Sequence, residues 1–332
     1  MKRIIILLLL FFSAGGLVNP SPAQANRTLL KTAAALNPNP PAAPVKLIFL
    51  HHSTGEAWLA DDHGQLGIAL KNNNYFVSDT NYGWGSDSIG SYTDIGDWYT
   101  WFRGTNSPIY TSEMYQESSQ HAAYTRLDTD PGGENQIILF KSCFPNSGLQ
   151  GSPGDPVPAI SDNPLKGEGA WSGNHTVANA KGIYIDLLNY FRTRQDKLFI
   201  VIAAPPLSDG AYADNARAFN NWLVDEWLAG YPFQNVAVFD FYTVLTTNGG
   251  SADANDLNAV GGNHHRYNGG VIQHLTNAGS NTLAYPSGDD HPSAAGDLKA
   301  SAEFLPLLNI YYHAWKSSQA PNRYIFVPVI RR

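Results

Sequence analysis

Cysteine is almost absent from this chain of 332 residues, because Cys143 is the only one. An intramolecular disulfide therefore cannot form, and zinc sites built on several thiolates are excluded. About 300 residues remain beyond the N-terminal segment described below, which is enough to bury one large hydrophobic core or two small ones.

Charge is also scarce, since Asp, Glu, Lys and Arg make up only 15% of the chain. Acidic residues outnumber basic ones, 28 to 21, and the formal net charge is −7. Beyond residue 25 the only adjacent pair of basic residues is Arg331-Arg332. Proteins that bind the phosphate backbone need clustered basic side chains. We therefore expect no nucleic-acid partner.

Long apolar runs are missing except near the N-terminus. Residues 4–18 are mostly apolar, follow Lys2-Arg3 and precede Ala23-Gln24-Ala25. This run has about the length of a signal-peptide core and is short for a membrane span, and A-x-A is a cleavage site. We expect cleavage near Asn26, a secreted or cell-envelope location, and no integral membrane span afterwards. An uncleaved anchor is the alternative.

Composition divides the chain into segments. Residues 1–25 are the predicted signal peptide, and residues 26–44 form a Pro- and Asn-rich leader that cannot make a helix or a central strand. The predicted folded domain covers residues 45–316 and contains a polar loop insertion at 246–288. Residues 317–332 form a tail whose apolar end is either an edge strand or an envelope-association segment.

Apolar strands alternate with amphipathic helices along the predicted domain. This alternation predicts right-handed βαβ units, hence the α/β class: a three-layer α/β/α sandwich around a central, mainly parallel, five-stranded sheet. Ligands bind such sheets outside the carboxyl ends of the strands. The predicted strands are Val45–Leu50 and residues 75–78, 136–140, 198–204 and 236–241; the predicted helices are residues 56–71, 177–194, 213–228 and 293–315.

A serine and a histidine stand where such a sheet would place an active site. Ser53 follows the apolar strand Val45–Leu50, and His291 lies beside Asp289 and Asp290 just before the last predicted helix. Serine is a weak nucleophile at neutral pH and needs a histidine to take its proton, while a carboxylate fixes the imidazole tautomer. These residues predict a serine esterase.

Each of these residues also has an ordinary structural interpretation. Ser53 and Glu56 match the capping box S-x-x-E, in which the serine only caps a helix. A histidine before a proline, as at His291, is often only a surface turn residue. The pattern alone leaves both interpretations open.

These segments resemble the SGNH/GDSL hydrolase superfamily, whose first block is a strand ending in Gly-Asp-Ser. Residues 50–54 keep that serine but have two histidines before it. The second block's glycine corresponds to residues 81–85, the third block, Gly-x-Asn-Asp, to 141–146, and the last, Asp-x-x-His-Pro, to 287–292. The resemblance follows the order of elements over residues 45–315 and implies a flavodoxin-like sheet.

The resemblance implies a role for individual residues and no metal or organic cofactor. The acid is displaced, because Gly288 stands three positions before the histidine, so Asp289 or Asp290 would serve. The implied residues are Ser53 as nucleophile, His291 as base, Asp289 or Asp290 as acid, and an oxyanion hole made by the Ser53 N–H, the N–H of Gly85 (or Gly83) and the Asn146 side chain.

Aromatic residues are dense between positions 84 and 102, near the predicted site. Such rings either fill the core or stack on sugar rings. We expect Trp84, Trp98 and His52 to contact substrate. The expected substrate is a small-molecule or glycan ester, with acetylated carbohydrate first and a lipid or other small ester second.

Two other functions remain open. The altered Gly-Asp and third blocks are compatible with a non-catalytic carbohydrate-binding relative. His264, His265 and His274 lie in the predicted insertion and, with Asp289 and Asp290, would suit a metal-dependent hydrolase. Adjacent histidines seldom bind one ion, which favours loop structure for them.

Overall fold

A computed structural model describes residues 36–319. The predicted signal peptide and the end of the tail lie outside these residues. The central sheet is entirely parallel with the order β2-β1-β3-β4-β5, which confirms the predicted α/β fold. Its strands are β1 (Val45–Leu50), β2 (Tyr75–Thr80), β3 (Ile137–Lys141), β4 (Leu198–Ile202) and β5 (Val236–Phe239).

Helices occupy both faces of this sheet. The α-helices are α1 (Ser53–Leu59), α2 (Leu66–Asn72), α3 (Asp97–Phe102), α4 (Ser107–Gln116), α5 (Val177–Phe191), α6 (Ala213–Asp225), α7 (Phe241–Val244) and α8 (Ala294–Gln319); 3₁₀ turns lie at Ser86–Ser91, Phe144–Ser147 and Ile160–Asp162.

No helix among residues 36–319 has both the length and the apolar character needed to span a membrane.

Side chains at alternate positions of the strands pack into two separate hydrophobic cores, one on each face of the sheet. Leu47 and Phe49 of β1 pack into a cluster with α1, α2 and α8. Ile48 and Leu50 pack into the opposite cluster with α3, α4, α5 and α6. Because both faces are covered, β1 is apolar at nearly every position, as expected for a strand of a buried parallel sheet.

The strand order reverses at β1, which pairs with β2 on one side and β3 on the other. A crevice forms at such a switch point, outside the carboxyl ends of the two diverging strands. Ser53 follows β1, and Lys141 ends β3. The topology therefore brings these two chain segments together at one rim.

A contact between α1 and α8 joins the start of the domain to its end. The buried Trp58 indole N–H donates to Ser301 Oγ at 2.9 Å, and that hydroxyl donates to the Gly64 carbonyl at 2.6 Å. The Trp58 ring also packs against Phe304, with 5.5 Å between centroids. A buried indole with a satisfied N–H is a strong anchor.

Some predicted elements differ from those observed. The helix predicted at 56–71 is two helices, α1 and α2, because Gln65 adopts φ +54 before α2 begins. The aromatic-rich region between positions 84 and 102, where no helix was predicted, contains α3. Trp98, Trp101 and Phe102 of α3 do follow helical spacing, but six residues are too few for the period to be conclusive.

The insertion predicted as a polar loop contains an antiparallel hairpin. Strands β6 (His264–Asn268) and β7 (Val271–Leu275) are joined by Gly269-Gly270, both at positive φ. Two residues with positive φ suit the tight turn that matches strand twist. The hairpin was not predicted because its first strand is polar, yet its three leading residues are buried.

Candidate active site

The first residue of α1 is Ser53, and its hydroxyl faces a histidine from the other end of the domain. Ser53 Oγ lies 2.9 Å from His291 Nε2. The preceding residue, His52, occupies the N-cap position, and its carbonyl accepts the N–H groups of Gly55 and Glu56. Ser53 is therefore not a helix cap. The capping-box interpretation was wrong. The motif S-x-x-E requires the serine at the N-cap position, and that position is occupied by His52.

A carboxylate orients His291 from its other ring nitrogen. Asp289 Oδ1 lies 3.0 Å from His291 Nδ1 and also accepts the His291 backbone N–H at 2.8 Å. Ser287 Oγ lies 3.1 Å from the same oxygen. The His291 backbone and ring N–H groups, in that order, lower the pKa of Asp289. The ionised form is favoured because every one of these neighbours can donate to it.

The two candidate acids are thus distinguished by geometry. Asp290 Oδ1 accepts the backbone N–H of Ser208 at 2.7 Å. The Asp290 carboxylate therefore binds the loop that contains Ser208, whereas the Asp289 carboxylate contacts the His291 imidazole. The candidate triad is therefore Ser53, His291 and Asp289.

The His291 imidazole also contacts an aromatic ring. Phe144 meets the His291 imidazole edge-on, with 4.9 Å between ring centroids and a 76° interplanar angle. Phe144 begins a 3₁₀ turn shortly after β3. The block at 141–146 thus contributes packing to the site.

The Asn146 side chain has other partners than an oxyanion. Its amide nitrogen donates to Asp94 Oδ1 at 2.6 Å and to the Cys143 carbonyl at 3.2 Å, and its Oδ1 accepts the Ile95 N–H. Both amide hydrogens are used in a buried position. This geometry does not support the predicted oxyanion role, because an amide nitrogen has two hydrogens only.

Gly85 stands at φ +74 before the turn Ser86–Ser91, a conformation that favours glycine. Among the glycines of this region, Gly90 contacts the segment that carries Ser53, because its carbonyl accepts the His52 Nε2–H at 2.6 Å. Gly85 and Gly83 therefore stay predictions as oxyanion donors, while Gly90 is the glycine in contact with the residue before Ser53.

His52 supports an exposed aromatic ring. Its imidazole stacks on Tyr82 with 3.9 Å between centroids, and Tyr82 is 62% exposed. Burial lowers the pKa of His52 to about 4, so the ring is neutral at neutral pH. We predicted that His52 contacts substrate; in the structure it is buried and Tyr82 presents the accessible face.

The two predicted tryptophan platforms lie in the core. Trp98 is fully buried, and its indole N–H donates to Ser142 Oγ at 3.0 Å. Trp84 is buried too, stacks on Trp101 and donates to Glu117. These predictions were wrong because both rings pack into the core on the side of the sheet that α3 covers.

Sequence reasoning missed a buried polar group beside Ser53. Cys143 Sγ lies 3.6 Å from Ser53 Oγ and 3.5 Å from Thr54 Oγ1. The fully buried Lys141 donates to Thr54 Oγ1 and, at 3.1 Å, to the Ser142 carbonyl. The sequence feature that could have revealed this group is Lys141, a lysine at the end of the otherwise apolar strand β3.

Burial and the charge of Lys141 have opposite effects on the pKa of the Cys143 thiol. Burial lowers the pKa of Lys141. Burial alone raises the pKa of the Cys143 thiol, but the Lys141 charge and hydrogen bonds from Thr54 and Ser53 outweigh it and bring that pKa below its ordinary value. A cation next to a thiol favours the thiolate.

The histidines of the insertion lie in a separate buried cluster. His264 Nδ1 contacts Glu303 at 2.6 Å, His274 Nε2 contacts Asp240 at 2.8 Å, and His265 Nδ1 accepts the Asp240 N–H. Asp289 and Asp290 contribute no contact to it. Among residues 36–319, no group of three or more His, Cys, Asp or Glu side chains is arranged to hold a metal ion.

Comparisons with known proteins add no relative. No protein-family model matches the chain, and no curated protein or solved structure matches it either. The arrangement of its own residues therefore bears the functional argument.

Proposed function

We propose that this protein is a serine esterase, a divergent SGNH-type hydrolase that cleaves carboxylic esters. One observation supports this most: Ser53 Oγ lies 2.9 Å from His291 Nε2, although the two residues stand at opposite ends of the domain. Asp289 at 3.0 Å from Nδ1 completes the order nucleophile, base and orienting acid.

The proposed reaction has two halves. Ser53 Oγ attacks the ester carbonyl carbon while His291 Nε2 takes the hydroxyl proton. The tetrahedral intermediate collapses, the alcohol leaves with the proton from His291, and the acyl group stays on Ser53. Water then attacks the acyl-enzyme while His291 takes its proton, and as the bond from the acyl carbon to Ser53 Oγ breaks, His291 returns that proton to Oγ and the carboxylic acid leaves.

The oxyanion needs fixed donors. The first N–H groups of a helix lack intrahelical acceptors, which makes the Ser53 N–H the best-supported donor. Gly85 remains part of the proposal, and Asn146 is removed from it because its amide is already hydrogen-bonded. An oxyanion hole with fewer donors suits an activated ester better than an amide.

For the substrate, we propose an acylated carbohydrate ahead of a lipid or other small ester. Tyr82 supports this choice, because its exposed ring stacks on His52, the residue directly before the nucleophile. Aromatic faces pack well against sugar rings. Export through the N-terminal apolar segment would place such an enzyme among extracellular glycans.

The test is active-site labelling. Wild-type protein should react with a fluorophosphonate probe and hydrolyse p-nitrophenyl acetate, and Ser53→Ala should lose both. Ser112→Ala, a change at an exposed serine on α4, is the matched control and should behave like the wild type. Folded wild-type protein that neither labels nor turns over the ester would refute the esterase proposal.

A second candidate is a non-catalytic carbohydrate-binding protein. The commitment of Asn146 to Asp94 and Cys143 favours it, because the third family block then supplies no oxyanion donor. Glycan binding that persists in Ser53→Ala, without turnover by the wild type, would support this candidate.

A further inference from the structure

Ser53 has a second polar neighbour besides its base. Cys143 Sγ lies 3.6 Å from Ser53 Oγ and 3.5 Å from Thr54 Oγ1, and Lys141 Nζ donates to that threonine oxygen. His291 Nε2 lies 2.9 Å from Ser53 Oγ. A continuous row of polar atoms thus runs from a buried ammonium group to the imidazole.

Counting hydrogens gives this row a direction. An ammonium group only donates, so Thr54 Oγ1 accepts from Lys141 and keeps its one hydrogen for Cys143 Sγ. The thiol then has its own hydrogen for Ser53 Oγ. The Ser53 hydrogen is left for His291 Nε2, which must accept if the esterase is to work.

We infer that the buried Lys141 and Thr54 and the half-buried Cys143 form a donor chain that turns the Ser53 hydroxyl toward His291. Cys143 touches the reacting oxygen, whereas Lys141 and Thr54 are positioning residues. Hydrogen bonds that point the same way strengthen one another in a low-dielectric interior. The kinetic consequence of this inference rests on the proposed esterase function.

The chain reverses when the thiol ionises. A thiolate sulfur only accepts, so the Ser53 hydrogen can then turn toward Cys143 and away from His291. Activity should therefore fall as the pH rises through the pKa of Cys143. The Lys141 charge lowers this pKa.

Other charged groups face the same chain. The charge of Asp297 on α8 raises the pKa of Lys141, opposing the effect of burial, and burial raises the pKa of Asp297 to about 6. His63 Nε2 lies 3.2 Å from that carboxylate. His52 is neutral in the relevant range, since its pKa is about 4. Because the Lys141 charge lowers the pKa of the Cys143 thiol, removing this lysine should move the thiol titration upward.

The thiol titration can be measured directly because Cys143 is the only cysteine. The thiolate absorbs in the ultraviolet, and Cys143→Ser provides the baseline for tyrosine. Lys141→Met should raise the thiol pKa by about one unit or more, since a neighbouring charge shifts a pKa by about that much. Thr54→Val should raise it less, and Lys71→Met, a control on α2, should leave it unchanged.

An unchanged thiol pKa in Lys141→Met would overturn the inference. The methionine variant should fold, because burying an ammonium group costs free energy and methionine fills a similar length with an apolar side chain. If it does not fold, the isosteric Thr54→Val decides the matter, since a thiol pKa equal to that of the wild type would also overturn the chain.

Kinetics test the link to Ser53. With p-nitrophenyl acetate, kcat of the wild type should fall on the alkaline side, and Lys141→Met should move this fall upward by the same amount as its thiol pKa. Cys143→Ser should lack the fall, since a hydroxyl does not ionise there. Cys143→Ala should lower kcat by about tenfold with KM unchanged, less than the loss of an oxyanion donor because S–H is a weak donor.

The failures are distinguishable. An active wild type with the same alkaline profile in Cys143→Ser would refute the chain and leave the esterase proposal intact. A wild type inert toward esters would refute the esterase proposal, while the thiol titrations of Lys141→Met and Thr54→Val would still decide whether the chain exists.

Discussion

Two of the histidine–carboxylate pairs in this protein have similar contact distances but different surroundings. His291 lies 3.0 Å from Asp289 at the sheet rim, and His274 lies 2.8 Å from Asp240 beneath the hairpin. The exposed fractions of the side chains are 30% and 65% in the first pair and 5% and 0% in the second. Distance alone would not tell them apart.

The difference lies in what the second ring nitrogen meets. His291 offers Nε2 to the Ser53 hydroxyl, so a lone pair can accept a proton. His274 has Asp240 on one nitrogen and Asp225 at 3.5 Å on the other. Burial opposes its charge, but these two carboxylates outweigh burial and raise the pKa of His274 to about 9. Only His291 has a ring nitrogen that faces a hydroxyl and not a second carboxylate, which is the arrangement that the proposed general base needs.

The largest expected effect separates the two pairs by activity. If Ser53 and His291 are nucleophile and base, Ser53→Ala and His291→Gln should each lower kcat for p-nitrophenyl acetate by about 10⁶-fold, because these two groups act as one unit. His274→Gln, which keeps a donor for Asp240, should label with a fluorophosphonate like the wild type. Loss of labelling in folded His274→Gln would mean that both pairs serve the reaction.

The next effect separates them by stability. His274→Ala leaves Asp240 buried and ionised without its partner, which should lower the free energy of unfolding by about 3–5 kcal/mol. His121→Ala, at a part-exposed histidine paired with Glu117, should change it by less than about 1 kcal/mol. Urea unfolding measures both, and equal shifts would contradict the structural role of the buried pair.

The pH dependence of stability follows from the same pair. The pKa of His274 is raised from 6.5 to about 9, so its contribution is complete below 6.5 and is lost as the pH rises to 9. The pKa of Asp240 is lowered from 3.8 to about 2, so that contribution is lost only as the pH falls from 3.8 to 2. The melting temperature should fall by several degrees across the alkaline window.

His274→Gln is the control for this dependence. Glutamine does not titrate, so the alkaline fall in melting temperature should shrink in this variant. A fall of the same size in the variant and the wild type would assign it to other groups, such as the buried Lys299 beside Asp256.

The smallest effect concerns the exposed carboxylate. The His291 backbone, the His291 ring and Ser287 all lie on Oδ1 of Asp289, so Asp289→Asn can keep an oxygen there and lose only the charge. Because water screens this site, kcat should fall by only about tenfold, well below the loss expected for a buried triad acid. Asp290→Asn should match the wild type; the reverse order would exchange the two roles.

The strands were predictable because their chemistry is local. The segment Val45–Leu50 is apolar almost throughout, and β1 has these same bounds. The predicted helix at 177–194 corresponds to α5, since its apolar residues recur on one helical face. Burial against a two-sided core leaves a pattern in neighbouring residues, and the sequence shows it.

The partners of polar groups were not predictable in the same way. Asn146 is an amide in a plausible position, but Asp94, far away in the chain, takes its hydrogen. The break before α2 depends on Gly64, where a Cβ atom would lie 2.4 Å from the Trp58 carbonyl oxygen. Such contacts depend on the folded geometry, so no local period reveals them.

The contact between Trp58 and Ser301 also has a consequence for the order of folding, because the candidate site is complete only after α8 has packed on α1. The proposed nucleophile, Ser53, stands on the first helix, its proposed base, His291, lies just before the last, and α1 packs on α8. A chain made from its N-terminus onward therefore carries an inert serine until its final helix docks. Recovery of fluorophosphonate labelling during refolding would then mark the last folding step, later than the return of helical signal.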